Sequence, residues 1–164
     1  MTERSTIDIR EAGPGDIGVF LDLVDALADY EKLERPSAEA RERLARDGFG
    51  DTRRIQPYLA ERAGRPVGYA VTLFTYSSFL ALPTLYLEDL FVLPEARSKG
   101  VGRAFFRYLA AEAVRHGCGR MDWVVLDWNE LAIDFYERLG ATRLTEWHTY
   151  RLNADQLARI AAGQ

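Results

Sequence analysis

The stretch LEDLFVLPEARSKGVGRAFFRYLAAEAVRHG, Leu87 to Gly117, decides the fold. It begins as an apolar run that carries two adjacent carboxylates, Glu88 and Asp89. It then crosses a basic, glycine-spaced loop. It ends with Ala104, Phe105, Tyr108, Leu109 and Ala113 near one face of a helix. Pro94 closes the apolar run, so TLYLEDLFVL predicts a strand, and Gly100 or Gly102 opens a helix to about His116. The first N–H groups of such a helix have no partner within it, and its dipole favours an anion there. Glycines at 100 and 102 let the backbone approach a ligand, and Arg97, Lys99 and Arg103 add positive charge. A pyrophosphate suits this loop. An ordinary turn faced by solvated Arg and Lys has similar composition, but the apolar strand before it and the amphipathic helix after it favour the anion seat. The spacing excludes two other phosphate motifs. GxxxxGK[ST] occurs nowhere, and Phe105 stands where GxGxxG requires its third glycine.

Upstream, TIDIR alternates and predicts a short strand. Pro14 opens an amphipathic helix with Ile17, Phe20, Leu21, Val24, Leu27 and Ala28 at helical spacing, and Pro36 stops it. Ser37 as N-cap and Gly48 as terminal stop bound a second, short helix. QPYLAERAGRPVGYAVTLFTY predicts a hairpin turning near Ala63–Pro66, and SSFLALP a loop with exposed apolar residues. Downstream, CGRMDWVVLD predicts a buried strand. NELAIDFYERLG predicts a helix capped by Asn129 and ended by Gly140, ATRLTEWHTYRL a last strand, and NADQLARIA a terminal turn or helix. The order β-α-α-β-β-β-α-β-α-β, without repeats or a linker, predicts one mixed α/β (α+β) domain over residues 1–164.

Composition bounds what such a domain can do. At 164 residues, 48% apolar and 28% charged, the chain is a globular domain able to bury a real core. A net charge of −4 leaves no footprint for nucleic acid and is compatible with a small cationic substrate. Cys118 is the sole cysteine, so no internal disulfide forms, and it reads as a small core residue. His116 and His148 are far apart and lack clustered carboxylates, so no metal is expected. MTERSTIDIR lacks the apolar run of a signal peptide, and no segment reaches about 18 uninterrupted apolar residues, which predicts a cytoplasmic protein without membrane contact.

LEDLFVLPEARSKGVGRAFF resembles motif A of the Gcn5-related N-acetyltransferases (GNAT), in which R/Q-x-x-G-x-G/A holds the coenzyme A pyrophosphate. DYEKLE, DGFG, LFTY, YLEDLFV and VLDWNELAIDFYERLGA extend the likeness to the spermidine/spermine N-acetyltransferase (diamine acetyltransferase) branch, from about Ile7 to Leu152. The resemblance implies a mixed central sheet whose two central strands splay apart, flanked by helices, with acetyl-CoA entering the V. TLYLEDLFVL is one arm and CGRMDWVVLD the other.

Acetyl transfer to an amine needs a base for the ammonium proton, donors for the oxyanion, and a proton for the departing thiolate. The resemblance makes Glu88 the base, acting through water, and an apolar strand around it would raise its pKa. An edge-facing or ion-paired glutamate is the plainer alternative. Asp89, one residue on, should face the other way as a supporting carboxylate. Tyr136 in FYERLGA corresponds to the family tyrosine near the sulfur and is the expected acid, with Phe135 in the core. The cofactor is expected on the main chain of Leu90, Phe91 and Val92, on Arg97, Ser98, Lys99, Gly100, Val101, Gly102 and Arg103, and on Asn129. Tyr30 and Glu31 are implied in the amine pocket, with Glu34, Asp122 and Trp123 as weaker contributors.

The branch has RGxGIG where this chain has RSKGVG, so Ser98 replaces a glycine. The loop SSFLALPT also differs, which leaves the amine unspecified. The implied activity is acetylation of a polyamine or a lysine-like amino acid. A protein N-terminal or lysine acetyltransferase and a non-catalytic coenzyme A-binding module are the alternatives. A homodimer is the family expectation, with the apolar loop and TEWHTY as surface for it.

Overall fold

The computed structural model describes residues 6–163. In chain order the elements are β1 (Ile7–Glu11), α1 (Ile17–Glu31), α2 (Ala38–Phe49), β2 (Gln56–Arg62), β3 (Arg65–Ser77), β4 (Leu82–Val92), α3 (Val101–Arg115), β5 (Arg120–Trp123), α4 (Glu130–Arg138) and α5 (Ala154–Ala161). Contacts cluster into two compact units, one ending at Val124 and the other beginning at Val125.

The first unit is a five-stranded mixed sheet in the order β1-β2-β3-β4-β5. The first three pairings are antiparallel and β4–β5 is parallel. A parallel neighbour needs a crossover, and α3 supplies it. The sheet is covered on both faces, which is why β4 reads as a nearly continuous apolar run. On one face Phe105 and Leu109 of α3 pack with Tyr58, Ala70, Leu85 and Leu87. On the other, Phe20 and Leu23 of α1 and Phe49 of α2 pack with Leu59, Tyr69, Val71 and Phe91.

Local signals account for most element ends. Pro14–Asp16 form a single 3-10 turn that leads into α1, and Lys32 closes α1 in a left-handed conformation with its N–H on Ala28 and Asp29 carbonyls. The Ser37 hydroxyl accepts from Ala40 N and caps α2. Arg41 joins α2 to α1 by pairing with Asp25 at 2.7 Å. Ala63 and Gly64, both at positive φ, form the two-residue turn of the β2–β3 hairpin.

Four expectations are corrected. Gly48 does not end α2, which runs to Phe49 and is capped by Gly50. Gly48 is instead a close-approach position, since a Cβ there would meet Pro57 Cγ at 3.0 Å. Ser77, Leu82 and Pro83, expected in a loop, belong to strands, because β3 and β4 form a tight hairpin whose ladder extends to the Ser77–Leu82 pair. The strand expected over 118–127 is only four residues long, and Val124 is exposed. Residues 141–152, expected as a last strand, form no strand. Alternation specifies which faces a strand would present, but a strand exists only where a ladder partner satisfies its backbone.

The second unit holds α4 and α5. Asn129 Oδ1 accepts from Ala132 N at 3.3 Å and starts α4, and Gly140 follows it at φ +88°. Asn153 and Gln156 form a reciprocal capping box that starts α5, so NADQLARIA is a helix.

Candidate active site

The glycine loop follows directly from β4. Pro94–Ala96 make one 3-10 turn, and Gly100, at φ +89°, is the N-cap of α3. Ala104 N is bonded to the Gly100 carbonyl. Helix geometry therefore leaves the N–H groups of Val101, Gly102 and Arg103 without intrahelical acceptors. Ser98 is also left-handed, at φ +59°. This is the position where the resembled branch carries glycine, so the backbone keeps the glycine conformation although the side chain has changed. Lys99 Nζ donates to the Glu95 carbonyl at 2.7 Å and braces the loop from within.

Arg97 takes a direction that the sequence did not suggest. Its Nε donates to the Val92 carbonyl at 2.9 Å. Its guanidinium lies over the Tyr30 ring at 4.4 Å and 5.6 Å from the Phe91 centroid. This cation thus lies against the aromatic residues beside the end of α1.

The β3–β4 ladder places the carboxylates. Thr72 pairs with Leu87 and Val71 with Asp89, so Glu88 is an extra residue in β4, a β-bulge. The bulge resets the alternation. Leu85 and Leu87 belong to the α3 face before it, and Leu90 and Val92 pack on that same face after it. Asp89 pairs with Val71, and Phe91 lies on the α1 face with it. Asp89 therefore lies on the α1 face, where unbroken alternation from Leu87 would have put it on the α3 face.

Asp89, not Glu88, is the desolvated carboxylate. Glu88 is exposed, whereas burial pushes Asp89 up to about 6, with the Tyr69 hydroxyl at 3.1 Å opposing the rise. The negative charges of Glu88 and Glu31 raise it further. Burial also raises Glu31, at the last position of α1. The Tyr69 phenol is pushed up by burial and by Asp89, Glu31 and Glu88. Three carboxylates thus share one electrostatic neighbourhood, walled by Tyr69, Phe91 and Tyr30, whose rings stand 6.5 Å and 6.1 Å apart in that order. Sequence reading missed Tyr69 and the desolvation of Asp89. The only available signal, the doublet Glu88-Asp89 within an apolar run, did not reveal the bulge.

The remaining predicted residues fall as follows. The β4–β5 pairing ends at Leu87–Trp123, so Glu88 to Val92 continue without β5 beside them. Asp122 faces Tyr86 in register and pairs with Arg120 at 3.0 Å; the Tyr86 phenol is raised by burial first and then by the charges of Glu88 and Asp122. Trp123 turns to the α3 side, with its ring 5.1 Å from Phe106. Glu34 is exposed beyond α1. Within the second unit, Asn129 caps α4, and the Tyr136 phenol, 5.6 Å from the Phe135 ring, is lifted by burial to about 12. Among the described residues no group of three or more His, Cys, Asp or Glu is placed to hold a metal, and no helix is long and apolar enough to cross a membrane.

This arrangement has the elements of acyl transfer: an anion seat at a helix start, a strand end with one edge free of its parallel neighbour, and a carboxylate group suited to a cation. Comparison with known proteins agrees. The model of the acetyltransferase (GNAT) family matches residues 20–141. A thialysine N-epsilon-acetyltransferase from Bos taurus is 38% identical, over 93% of this chain and 96% of its own. A human spermidine/spermine N(1)-acetyltransferase-like protein 1 is 32% identical over 98% of this chain and 24% of its own. Among solved structures, an aminoglycoside N-acetyltransferase in complex with CoA superposes with a TM-score of 0.76 at 19% identity, covering 94% of this chain and 99% of that one. The chain is an N-acetyltransferase and belongs to the acetyltransferase (GNAT) family.

Proposed function

We propose that the enzyme transfers the acetyl group of acetyl-CoA to the primary amine of a small cationic molecule, a polyamine or a lysine-like amino acid. The observation that carries this reading is the convergence of Glu31, Glu88 and Asp89 beside the aromatic rings of Tyr30 and Phe91. Carboxylates and ring faces together suit an ammonium group. The relatives named for thialysine and for spermidine/spermine support both substrate types.

Acetyl-CoA supplies an activated thioester. The free N–H groups at the start of α3, with Lys99 and Arg103 nearby in sequence, hold its pyrophosphate. The backbone of Leu90, Phe91 and Val92, past the end of β5, pairs with its pantetheine arm. Asn129 adds a hydrogen bond from the start of α4. The ammonium must lose a proton before its nitrogen can attack, and Glu88 accepts that proton through water. The nitrogen then bonds to the acetyl carbon, a strand N–H steadies the oxyanion, the nitrogen gives its second proton to water, and the carbon–sulfur bond breaks as the carbonyl re-forms. Tyr136 supplies the proton to the leaving thiolate. Its raised pKa keeps the phenol protonated throughout the neutral range. Tyr30, Glu31 and Asp122 orient the amine. The enzyme acts in the cytoplasm as a homodimer, a reading that rests on its composition and on the family.

Purified enzyme incubated with acetyl-CoA and a panel containing spermidine, spermine, lysine, thialysine and ornithine tests this. Release of free thiol with acetylation of one or more of these amines is the expected result. Turnover only on a peptide N-terminus or peptide lysine, or on none of these acceptors, refutes it.

A further inference from the structure

Arg97 opens the R-x-x-G-x-G signature, and its place in the sequence assigns it to the pyrophosphate. The conformation of its side chain assigns it elsewhere. The Nε–H is committed to the carbonyl of Val92, the last residue of β4. The guanidinium carbon stands 4.4 Å from the Tyr30 centroid and 5.6 Å from that of Phe91. Those two rings are themselves 6.1 Å apart. Arg97 forms no salt bridge among the described residues, so its charge is not drawn away from this aromatic contact. A planar guanidinium on a ring face is held both by cation–π attraction and by stacking, and lysine reproduces only the charge.

Tyr30 is the penultimate residue of α1, and Glu31, whose carboxyl is raised by burial, is the last. Just beyond, Lys32 closes the helix in the left-handed conformation. The backbone at the end of α1 is fixed by this cap and by the Arg35–Asp29 pair, and Arg97 reaches its Tyr30 side chain from the glycine loop. One residue thus bonds to the end of β4, stands at the start of the loop, and lies across the aromatic wall beside the carboxylates.

We propose that Arg97 is a positioning residue for the amine, not a ligand of the cofactor pyrophosphate: it holds Tyr30, and through it Glu31, in place against β4. The loop N–H groups remain for the phosphates. This inference rests on the proposed acetylation of a small amine, in which Tyr30 and Glu31 line the acceptor pocket.

The experiment compares wild type, Arg97→Lys, Tyr30→Leu and the double variant. Coenzyme A affinity is measured by calorimetry without amine, and KM and kcat with saturating acetyl-CoA and the best amine of the panel. Thermal melting and far-UV circular dichroism establish that each variant is folded. For Arg97→Lys the expected result is a rise of roughly five- to tenfold in amine KM, with kcat and the coenzyme A Kd within about twofold of wild type. Tyr30→Leu raises amine KM similarly, and the double variant is no worse than the worse single one, because both changes remove one contact. Loss of coenzyme A affinity by about tenfold in Arg97→Lys, with amine KM unchanged, overturns the proposal and returns Arg97 to the pyrophosphate. Fully additive effects on amine KM also overturn it, because Arg97 then does not act through Tyr30. A wild type that acetylates no amine of the panel refutes the underlying functional reading instead, a result distinct from either.

Discussion

The Tyr69 hydroxyl donates to Asp89 Oδ2 at 3.1 Å, diagonally across the β3–β4 pair and beneath α1. The bond is between a buried phenol and a half-buried carboxylate, and it does not repay the full cost of removing the charge from water, since Asp89 remains raised to about 6. Asp89 is therefore a site where the fold gives up stability.

A pH titration of stability measures this. Folded Asp89 binds its proton more tightly than the unfolded carboxyl, whose pKa is about 3.9. Between about pH 4 and 6 the folded state holds more protons than the unfolded one, so stability falls as pH rises through that window. The full loss, on the order of 3 kcal/mol, is present above it. Asp16, held down to about 2 chiefly by its hydrogen bonds with Arg10, acts oppositely and lower, its stabilisation being lost as pH falls below about 4. Urea melts of wild type and Asp89→Asn at pH 4 to 7 should differ increasingly in favour of the variant as pH rises. Parallel curves would remove Asp89 as the source of the slope.

The assignments of base and acid separate kinetically. Glu88→Gln keeps the size and the bulge but removes the proton acceptor, and kcat should fall by about 10²–10⁴ with coenzyme A affinity unchanged. Tyr136→Phe should lower kcat with little change in the coenzyme A Kd, since the phenol acts on the leaving thiolate. Pre-steady-state thiol release distinguishes the two from slow product release. Activity equal to wild type in either variant removes the corresponding role.

Ser98 carries conformational strain that glycine would relieve. An L-residue in the left-handed region costs about 1–2 kcal/mol, partly offset in glycine by its looser unfolded chain. Ser98→Gly should raise Tm by about 2–4 °C at neutral pH. A lower Tm would mean that the serine side chain contributes more than its backbone costs.

The parts of the fold written in local chemistry were legible without coordinates. Ser37 and Asn129 cap the helices their residue types announce, and the strand, glycine loop and helix follow in the order read from Leu87 to Gly117. What failed depends on a partner. The bulge at Glu88 exists only relative to Val71 and Thr72 on another strand, so alternation along β4 alone does not reveal the change of face between Leu87 and Asp89. Residues 141–152 alternate well and still form no strand, and Gly48 looked like a terminator although it is a contact with Pro57. The direction of Arg97 was equally hidden, because its ring partner Tyr30 lies 67 positions earlier in the chain.

The register around Glu88 has a consequence for the economy of the strand. Remove that one residue, and Leu87 and Asp89 become neighbours opposite Thr72 and Val71, an uninterrupted antiparallel ladder with every other side chain on its present face. Removal of Leu87 or Phe91 has no such compensation, since it deletes a buried core residue. Glu88 is thus the position that the architecture of β4 can lose: a 163-residue chain lacking it should fold to the same circular dichroism spectrum and show little turnover. The sheet is complete without Glu88, and the insertion adds an exposed carboxylate beside Asp89.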